Sequence, residues 1–419
     1  MAELYKLRNQ IRHYEWGSPD CIPRLLGVPG DGRPWAELWM GCHPASPSTI
    51  SLPETAAEAS LGEFIAADPR RYLGRQAAQK YGTLPFLFKL LAAEKPLSIQ
   101  AHPNLAQARE GYERENSAGL PLDAPNRSYK DANHKPELIV ALTPFAGMCG
   151  FRSPAETRRL LAEFLELAPA PLRESLAPLE QAFAASEADS ALRNFMAALF
   201  GLSPAAREVL TEYIQGMGNG EWGMGNGERG TGMPQKEYGV ELWEFMRHFA
   251  RLHPGDPAAI SPLYLNVFRL EPGEAIFLKT GTLHSYFCGF GIELMANSDN
   301  VLRGGLTGKH VDVPELIKAL DFSPSKPQII RPDTALSCFT YPAPCEEFSL
   351  SVIRGQGGVA DFAVQGTSIC IVTEGEAVFS GGGVHTALRQ GESAFVPPGD
   401  GLTLRGHFTL YAAFCPGTP

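Results

Sequence analysis

The sequence lacks the features that would place the protein in a membrane or in a disulfide-bonded secreted class. No apolar run approaches the ~20 residues that a membrane-spanning helix needs, and the N-terminal stretch MAELYKLRNQ contains no apolar signal core. The 8 cysteines are scattered without a CxxC pair, which argues against a disulfide framework or a thiolate metal cluster. We therefore expect a cytoplasmic protein whose thiols are reduced and mostly buried.

Basic residues are also scarce. The 36 Lys and Arg residues are outnumbered by 46 Asp and Glu residues, and the formal net charge is −10. This balance argues against nucleic acid and anionic membranes as partners, although it permits a small basic pocket for one phosphate. With 419 residues, 44% of them apolar, the chain can form two or three folding units around large cores.

The stretch LSIQAHP at residues 97–103 is the first indication of a metal site. Successive side chains of a strand alternate between its two faces, so Ser98, Gln100 and His102 would share one face. An amide and an imidazole on one face are two potential metal ligands. The alternative is an ordinary strand histidine beside a solvated glutamine, and this stretch alone leaves both interpretations open.

Two further sets of polar residues interrupt apolar strands. His134, Lys135 and Glu137 precede the apolar run at 138–142, where a solvated charged loop is the alternative interpretation. Lys89 stands within the apolar run FLFKLL, so its ammonium either reaches a strand edge or is held in a polar site.

Residues 263–310 have the pattern of a cupin, the double-stranded β-helix. A strand is followed by the Pro-Gly-Glu turn at 272–274, a second short strand, and a bend of small residues that ends in His284. The polar residues that follow predict a lined pocket: Glu293, Asn297, Asp299, Asn300, Arg303, Lys309 and His310.

The remaining chain divides by composition. Residues 153–215 have apolar residues at helical spacing, and Ser153 and Ser203 each precede a proline, as N-caps do. The Gly-rich stretch at 216–233 predicts a flexible loop. After Pro327, short strands with cupin-type turns return without an HxH motif.

The predicted fold is mainly β and has three parts. A catalytic cupin domain comprises residues 1–152 and 253–325, and residues 153–252 form a helical insertion with the Gly-rich loop. Residues 326–419 form a second, cupin-like β-barrel, which we expect to be metal-free and structural.

Several segments resemble those of type I mannose-6-phosphate isomerases (phosphomannose isomerases), a zinc-dependent family with the cupin fold. The resemblance is carried by YEWGS, AELWMGCHPASPS, LSIQAHPN, YKDANHKPELIVALTPFAGMCGFR, SPLYLNVFRLEPGEAIFL and GIELMANSDNVLRGGLTGKHVDV, which occur in order over residues 5–320. The segment KTGTLHSYFCGFGIE departs from the family's commoner wording but keeps His284 and Tyr286.

The resemblance implies one Zn²⁺ per chain and a set of site residues. The implied zinc ligands are Gln100, His102, Glu137 and His284. The implied catalytic residues are Arg303, Lys135 and Glu293. The implied substrate and phosphate contacts are Ser98, Lys309, Trp16 and Tyr286, with Arg303 shared between phosphate and catalysis.

The implied reaction interconverts mannose 6-phosphate and fructose 6-phosphate by proton transfer through a cis-enediol(ate). Zn²⁺ would polarise the reacting oxygens as a Lewis acid, and Arg303 would add a fixed positive charge. The general base is Lys135 or Glu293, with His134 and Asp299 as less favoured candidates, and the sequence does not decide between the first two.

The expected partner is a small-molecule sugar phosphate, with neither nucleic acid nor a membrane involved. We expect a monomer and leave a dimer open. The alternative functions are a non-catalytic sugar-phosphate-binding cupin, another metal cupin such as a non-haem iron oxygenase, and a cupin-type glucose-6-phosphate isomerase. Gln100 as a fourth protein ligand argues against the oxygenase, which needs open positions on its metal.

Overall fold

The structure is a computed structural model that describes residues 3–51, 58–184, 188–217, 239–362, 366–399 and 401–416. The predicted Gly-rich loop lies largely outside the described residues. Among the helices of these ranges, none combines the length and the apolar character that crossing a bilayer requires.

Two antiparallel sheets form the frame of the protein. In chain order, the strands of the described ranges are β1 (Tyr5–Arg8), β2 (Gln10–Arg12), β3 (Glu37–Met40), β4 (Thr49–Ser51), β5 (Glu58–Ser60), β6 (Phe86–Ala93), β7 (Gln100–Ala101), β8 (Glu137–Ala141), β9 (Phe145–Phe151), β10 (Leu265–Leu270), β11 (Ala275–Leu278), β12 (His284–Ala296), β13 (Leu302–Arg303), β14 (Ile329–Ile330), β15 (Cys338–Tyr341), β16 (Ser349–Asp361), β17 (Ser368–Gly381), β18 (Val384–Arg389), β19 (Ser393–Val396) and β20 (Thr403–Phe414).

Helices alternate with these strands along the chain. In the same ranges they are α1 (Cys21–Leu26), α2 (Leu61–Ala67), α3 (Pro69–Leu73), α4 (Arg75–Lys80), α5 (Leu105–Ser117), α6 (Pro154–Leu167), α7 (Ala170–Ala184), α8 (Ala188–Phe200), α9 (Pro204–Gly216), α10 (Gly239–Leu252), α11 (Val313–Ala319) and the 3-10 helix Pro257–Leu263. The predicted N-caps are confirmed, because the hydroxyls of Ser153 and Ser203 accept hydrogen bonds from the third residue of α6 and α9.

The first sheet has the strand order β14-β11-β8-β12-β6-β3-β2, with β7, β9, β10 and β13 attached beyond this path. Strand β12 joins its two sides, because residues 284–288 pair with β7 and β9, and residues 289–296 pair with β6 and β8. At the changeover, Gly289 has a φ of 124°, and a Cβ there would lie 2.6 Å from the Phe145 ring. One strand can thus deliver both His284 and Glu293 to the barrel interior.

The second sheet has the order β15-β16-β20-β17-β19-β1-β4-β5, with β18 paired to β17. It therefore includes three strands from the N-terminal segment, and Tyr5 of β1 lies opposite Phe395 of β19. Conversely, β14 follows residue 326 but pairs with β11 of the first sheet. Strand pairing thus crosses the limits that the sequence suggested for the catalytic and C-terminal domains.

One apolar core lies between the two sheets. Leu90 and Ile292 of the first sheet belong to the same buried cluster as Phe348, Ile371 and Tyr411 from the second. A separate cluster joins α6 to α10 with β9 and the 3-10 helix, and a third lies within the C-terminal barrel. Successive side chains of β6 and β12 alternate between the two faces of each strand. One face therefore packs in the core between the sheets, and the other faces the barrel interior.

Candidate active site

Three buried side chains converge at one point of the first sheet. His102, Glu137 and His284 offer ligand atoms that all lie within 4.8 Å of one another. The Nε2 atom of His102 lies 3.2 Å from Oε1 of Glu137, and Nε2 of His284 lies 3.3 Å from Oε2. None of the three residues is more than 2% exposed, so their polar atoms are shielded from bulk solvent.

Backbone contacts determine which nitrogen of each histidine faces the centre. The Nδ1 atoms of His102 and His284 lie 2.6 Å and 2.9 Å from the carbonyl oxygens of Asn300 and Thr282. A carbonyl can only accept a hydrogen bond, so each Nδ1 carries the proton and donates it. Both Nε2 atoms therefore present a lone pair, as metal-binding histidines do.

The central polar atoms are incompletely paired. Both carboxylate oxygens of Glu137 and Nε2 of His284 are buried and have no hydrogen bond of acceptable geometry, although nitrogens lie close to them. A buried polar atom without such a partner costs about 1 to 3 kcal/mol. Two imidazoles and a carboxylate around one point fit a divalent cation such as Zn²⁺, which would pair with all of these atoms.

Lys135 lies beside this triad of His102, Glu137 and His284. Its Nζ is 2.7 Å from Oε1 of Glu137 and 3.5 Å from Nε2 of His102. Burial alone would raise the pKa of Glu137, but the Lys135 ammonium and the imidazoles hold it well below its ordinary value. Burial and then the ammonium lower the pKa of His102 to about 4. At neutral pH the carboxylate is ionised and His102 is neutral, the forms that bind a metal.

Gln100 lies in register with two other predicted site residues. It is opposite His284 of β12 on one side and opposite Arg303 of β13 on the other. Directly opposite residues of antiparallel strands present their side chains on the same face. Gln100 therefore lies between a candidate metal ligand and the candidate catalytic arginine.

Gln100 and Arg303 border a cleft of about 560 Å³, whereas His102 and His284 lie outside its lining. The predicted site residues that line it are Trp16, Ser98, Gln100, Lys135, Glu137, Glu293, Arg303 and Lys309. A concave site of this size with few, convergent polar groups is typical of a small-molecule pocket.

Two cations of the cleft are free to bind an anion. Within the described ranges, neither the Arg303 guanidinium nor the Lys309 ammonium has an ion-pair or hydrogen-bond partner. Burial lowers the pKa of Arg303, and burial together with the Arg303 charge lowers the pKa of Lys309. Two neighbouring positive charges without a carboxylate are suited to a phosphate.

A second buried charged group lines the same cleft. Lys89 Nζ lies 3.0 Å from Oε2 of Glu293 and 3.5 Å from Oε1 of Glu37, and Trp39 Nε1 donates a 2.7 Å hydrogen bond to Glu37. Burial raises the pKa of Glu293. The Lys89 ammonium opposes this rise, but the carboxylates of Glu137 and Glu37 add to it, so the net shift is upward. The polar-site interpretation of Lys89 is therefore confirmed.

Comparison with known proteins places this site in a family. The family model described as "Phosphomannose isomerase type I, catalytic domain" matches residues 4–154. The mannose-6-phosphate isomerase of Escherichia coli (strain K12) is 36% identical over 414 residues, covering 97% of this chain and 98% of that protein. The Homo sapiens protein of the same name is 31% identical over 429 residues, covering 96% and 95%. The chain belongs to the type I phosphomannose isomerase family.

Solved structures agree with this membership. A zinc-bound holo structure of mannose 6-phosphate isomerase is similar to the chain with a TM-score of 0.85 at 34% identity, covering 98% of this chain and 99% of that one. A mutant of phosphomannose isomerase from Salmonella typhimurium has a TM-score of 0.86 at the same identity and coverage. The predictions of the family, of an isomerase and of a mainly β cupin fold are therefore confirmed.

One predicted substrate contact does not line the cleft. Tyr286 is fully buried, packs edge-on against Phe145 with ring centroids 5.2 Å apart, and lies 6.1 Å from the His284 ring. Burial raises the pKa of its hydroxyl well above the ordinary value. The structure places Tyr286 against a candidate ligand and outside the cleft lining.

Sequence analysis missed a histidine that holds an acidic residue of the cleft. His43 Nδ1 accepts a 3.2 Å hydrogen bond from Ala45 N, so its Nε2 carries the proton and faces Oδ2 of Asp299 at 3.3 Å. Burial alone would raise the pKa of Asp299, but the His43 contact holds it below its ordinary value. The only signal for His43 was its position in the segment AELWMGCHPASPS.

Proposed function

We propose that this chain interconverts mannose 6-phosphate and fructose 6-phosphate, with one Zn²⁺ per chain. The observation that carries the proposal is the buried triad of His102, Glu137 and His284, whose ligand atoms converge beside a cleft with the free cations of Arg303 and Lys309. The membership of an isomerase family supports the same conclusion.

We assign Gln100, His102, Glu137 and His284 as the zinc ligands. Oε2 of Glu137 and Nε2 of His284 have no hydrogen bond of acceptable geometry, and both histidines present a lone pair on Nε2, which supports the assignment. A relative of known structure is described as zinc bound. When bound, Zn²⁺ supplies Lewis-acid polarisation of the substrate's carbonyl and hydroxyl oxygens.

We assign the phosphate to Arg303, Lys309 and Ser98. A guanidinium can bind a phosphate through two parallel hydrogen bonds, and an ammonium adds a point charge. Ser98 lines the same cleft and offers a hydroxyl. Because Arg303 lies opposite Gln100 across two short strands, its fixed charge also stabilises the negative charge that develops on the reacting oxygens.

We assign the general base to Lys135, with Glu293 as the second candidate. To act as the base, Lys135 must first give up a proton from the ammonium that contacts Glu137. The neutral amine would then take the proton from C2, and the ammonium so formed would return it to C1 after the cis-enediol(ate) forms. Its Nζ lies within 3.5 Å of two assigned zinc ligands, next to the expected position of the reacting oxygens. Oε2 of Glu293, in contrast, is held by Lys89 at 3.0 Å.

We assign Trp16 to the mouth of the cleft. Its ring stacks on that of Tyr14 with centroids 5.6 Å apart, and both residues line the cleft. An aromatic surface at this place covers the substrate and limits the entry of water to the reacting carbons.

The organisation of the chain is part of the proposal. We propose a catalytic cupin domain at 1–152 and 253–325, a helical insertion at 153–252 and a C-terminal β domain at 326–419, with β1 and β14 paired across the domain limits, in a monomeric cytoplasmic protein. All 8 cysteines lie in the described ranges and are free thiols, which supports a reducing compartment. Light scattering of the purified chain tests the monomer.

The direct test is a coupled assay with mannose 6-phosphate, together with metal analysis of the purified protein. We expect one zinc per chain, turnover that a chelator abolishes, recovery on adding zinc, and an unchanged far-UV spectrum throughout. Full activity of the metal-free protein would contradict the zinc assignment. Turnover of glucose 6-phosphate in preference to mannose 6-phosphate would contradict the substrate.

A further inference from the structure

Asn300 lies where three parts of the site meet. It stands between β12, which carries His284 and Glu293, and β13, which carries Arg303. Its side chain is fully buried, at 0% exposure. A buried amide needs partners for two donors and an acceptor, so its contacts show what it holds in place.

The side chain of Asn300 binds the segment that leads to Lys135. Its Oδ1 accepts hydrogen bonds from the backbone N–H groups of Lys130 at 2.7 Å and Asp131 at 3.2 Å. Its Nδ2 donates to the carbonyl oxygens of Asp131 and Asn133, both at 2.8 Å. One amide therefore pairs four backbone groups of residues 130–133.

The backbone of Asn300 holds a different element. Its carbonyl oxygen accepts the 2.6 Å hydrogen bond from Nδ1 of His102, which directs the other nitrogen of that ring toward Glu137. A contact of this kind sets both the tautomer and the orientation of a metal-binding histidine. The same residue thus fixes His102 through its backbone and residues 130–133 through its side chain.

Neighbouring contacts reinforce this junction. The Ser298 hydroxyl donates to Oδ1 of Asp131 at 2.9 Å and accepts from the Asn300 N–H at 3.2 Å. The Asp299 N–H donates to Oδ2 of Asp131 at 2.8 Å. The connection after β12 and the segment before β8 are therefore joined by a continuous hydrogen-bond network.

We infer that Asn300 is a positioning residue that sets the placement of His102 relative to Lys135 and Glu137. This inference rests on the proposed function, because it gives a purpose to the spacing between the zinc ligands and the base. Asn300 is fully buried and does not line the cleft. It acts by holding two segments that are remote in sequence at the distance at which their side chains form one site.

The test uses Asn300→Asp, which keeps the shape of the side chain and replaces its donor by an acceptor. The new oxygen would face the carbonyls of Asp131 and Asn133 and the Asp131 carboxylate, all of which only accept. We expect zinc affinity, measured by competition with a chelator, to fall roughly 10-fold to 100-fold. We expect kcat at saturating zinc to fall about 10-fold, with a smaller change in KM.

Asn266→Asp is the matched control. Asn266 is also buried, and its Nδ2 donates to two carbonyls, those of Gly150 at 2.9 Å and Ser325 at 3.0 Å, but neither partner lines the cleft. We expect a similar loss of thermal stability, with zinc affinity and kcat within about 2-fold of the unaltered protein because Asn266 bonds neither a candidate ligand nor a residue that lines the cleft.

A milder variant guards against a failure of Asn300→Asp to fold. Ser298→Ala removes one member of the network, and we expect the same pattern at about 3-fold in zinc affinity. Near-native zinc affinity and kcat in Asn300→Asp, or in Ser298→Ala if the former does not fold, would overturn the inference. Equal losses in Asn266→Asp would overturn it as well.

The unaltered protein separates this inference from the function on which it rests. If the unaltered protein shows zinc-dependent isomerisation and Asn300→Asp has the same zinc affinity and kcat, the inference alone fails. If the unaltered protein itself neither binds zinc nor isomerises the substrate, the proposed function fails, and the inference with it.

Discussion

Lys89 Nζ and Glu293 Oε2 lie 3.0 Å apart on directly opposite positions of β6 and β12, and neither side chain is more than 6% exposed. Glu37 competes for the same ammonium at 3.5 Å. Burial by itself would lower the pKa of Lys89, but the two carboxylates raise it above the ordinary value. The ammonium is therefore the charge that allows two acidic residues to remain in the interior.

We predict that Lys89→Met destabilises the protein by roughly 3 to 5 kcal/mol, as expected when one partner of a buried pair is removed. Methionine fills much of the same volume, so the loss reflects the uncompensated charges of Glu293 and Glu37. Urea unfolding at neutral pH measures it. The double variant Lys89→Met/Glu293→Gln should recover part of the loss. Equal stability of Lys89→Met and the unaltered protein would show that these carboxylates are not ionised.

Lys135 and Glu293 can be separated as candidate bases. We predict that Lys135→Met lowers kcat by about 100-fold to 10,000-fold, the range that general bases contribute. Glu293→Gln keeps an oxygen for Lys89 and should cost less, about 10-fold. Exchange of the C2 proton with deuterated solvent reports the same step directly.

Zinc content must be measured on both variants, because Lys135 also contacts Glu137. If Glu293→Gln, at full zinc occupancy, loses exchange more completely than Lys135→Met, the base is Glu293 and the assignment to Lys135 is wrong.

Arg303 offers a test of the fixed charge. We predict that Arg303→Ala costs roughly 3 kcal/mol of transition-state stabilisation, or about 100-fold in kcat/KM, by comparison with the loss of an oxyanion donor. Arg303→Lys is the control, since it keeps the charge but not the two-pronged geometry, and should retain an intermediate activity. An alanine variant with near-native kcat/KM would remove Arg303 from the chemistry.

A contact from the C-terminal part reaches the segment that carries Lys135. Glu347 Oε1 lies 2.8 Å from Nε2 of His134. Burial alone would raise the pKa of Glu347, but the His134 contact holds it below the ordinary value of 4.5. A carboxyl whose pKa is lowered on folding stabilises the folded state at pH values above its ordinary, unfolded-state pKa. This stabilisation is lost as the pH falls through the folded-state pKa.

We therefore predict that Glu347→Gln lowers the free energy of unfolding at pH 7 by about 1 kcal/mol. The effect is modest because both side chains are partly exposed to solvent, which screens the contact. The difference from the unaltered protein should shrink as the pH is lowered from 7 through the folded-state pKa of Glu347, because the protonated carboxyl is as uncharged as the glutamine that replaces it. Glu346→Gln is the matched control. The Glu346 side chain is 81% exposed, and its removal should change stability by less than about 0.5 kcal/mol over the same pH range. A constant difference between Glu347→Gln and the unaltered protein across this range would contradict the assignment.

The predictable part of the site was the part with a local signal. Alternation along a strand placed Gln100 and His102 on one face, and the turn and bend before His284 predicted a cupin strand. The N-caps Ser153 and Ser203 were predictable for the same reason, because a cap and its partner lie within one turn of helix. The choice of Lys135 and Glu293 as candidates came from the family resemblance, and their roles stay predictions.

Contacts between remote segments had no such signal. Three contacts join segments that are remote in the sequence: the pairing of β1 with β19, the contact of His134 with Glu347, and the junction at Asn300. No sequence pattern indicates that these segments lie close together in space. Tyr286 shows the converse, because its place in a matching segment suggested a substrate contact while packing against Phe145 removes it from the cleft lining.

The sequence by itself determined the family, the cupin fold, and the residue types that can bind a metal and a phosphate, because periodicity, turns and family segments are properties of short stretches. Only the tertiary structure decided that His102, Glu137 and His284 converge, that Lys89 is shared by Glu293 and Glu37, and that Asn300 joins two segments. Those relations depend on strand register and on buried hydrogen bonds, which many remote residues set together.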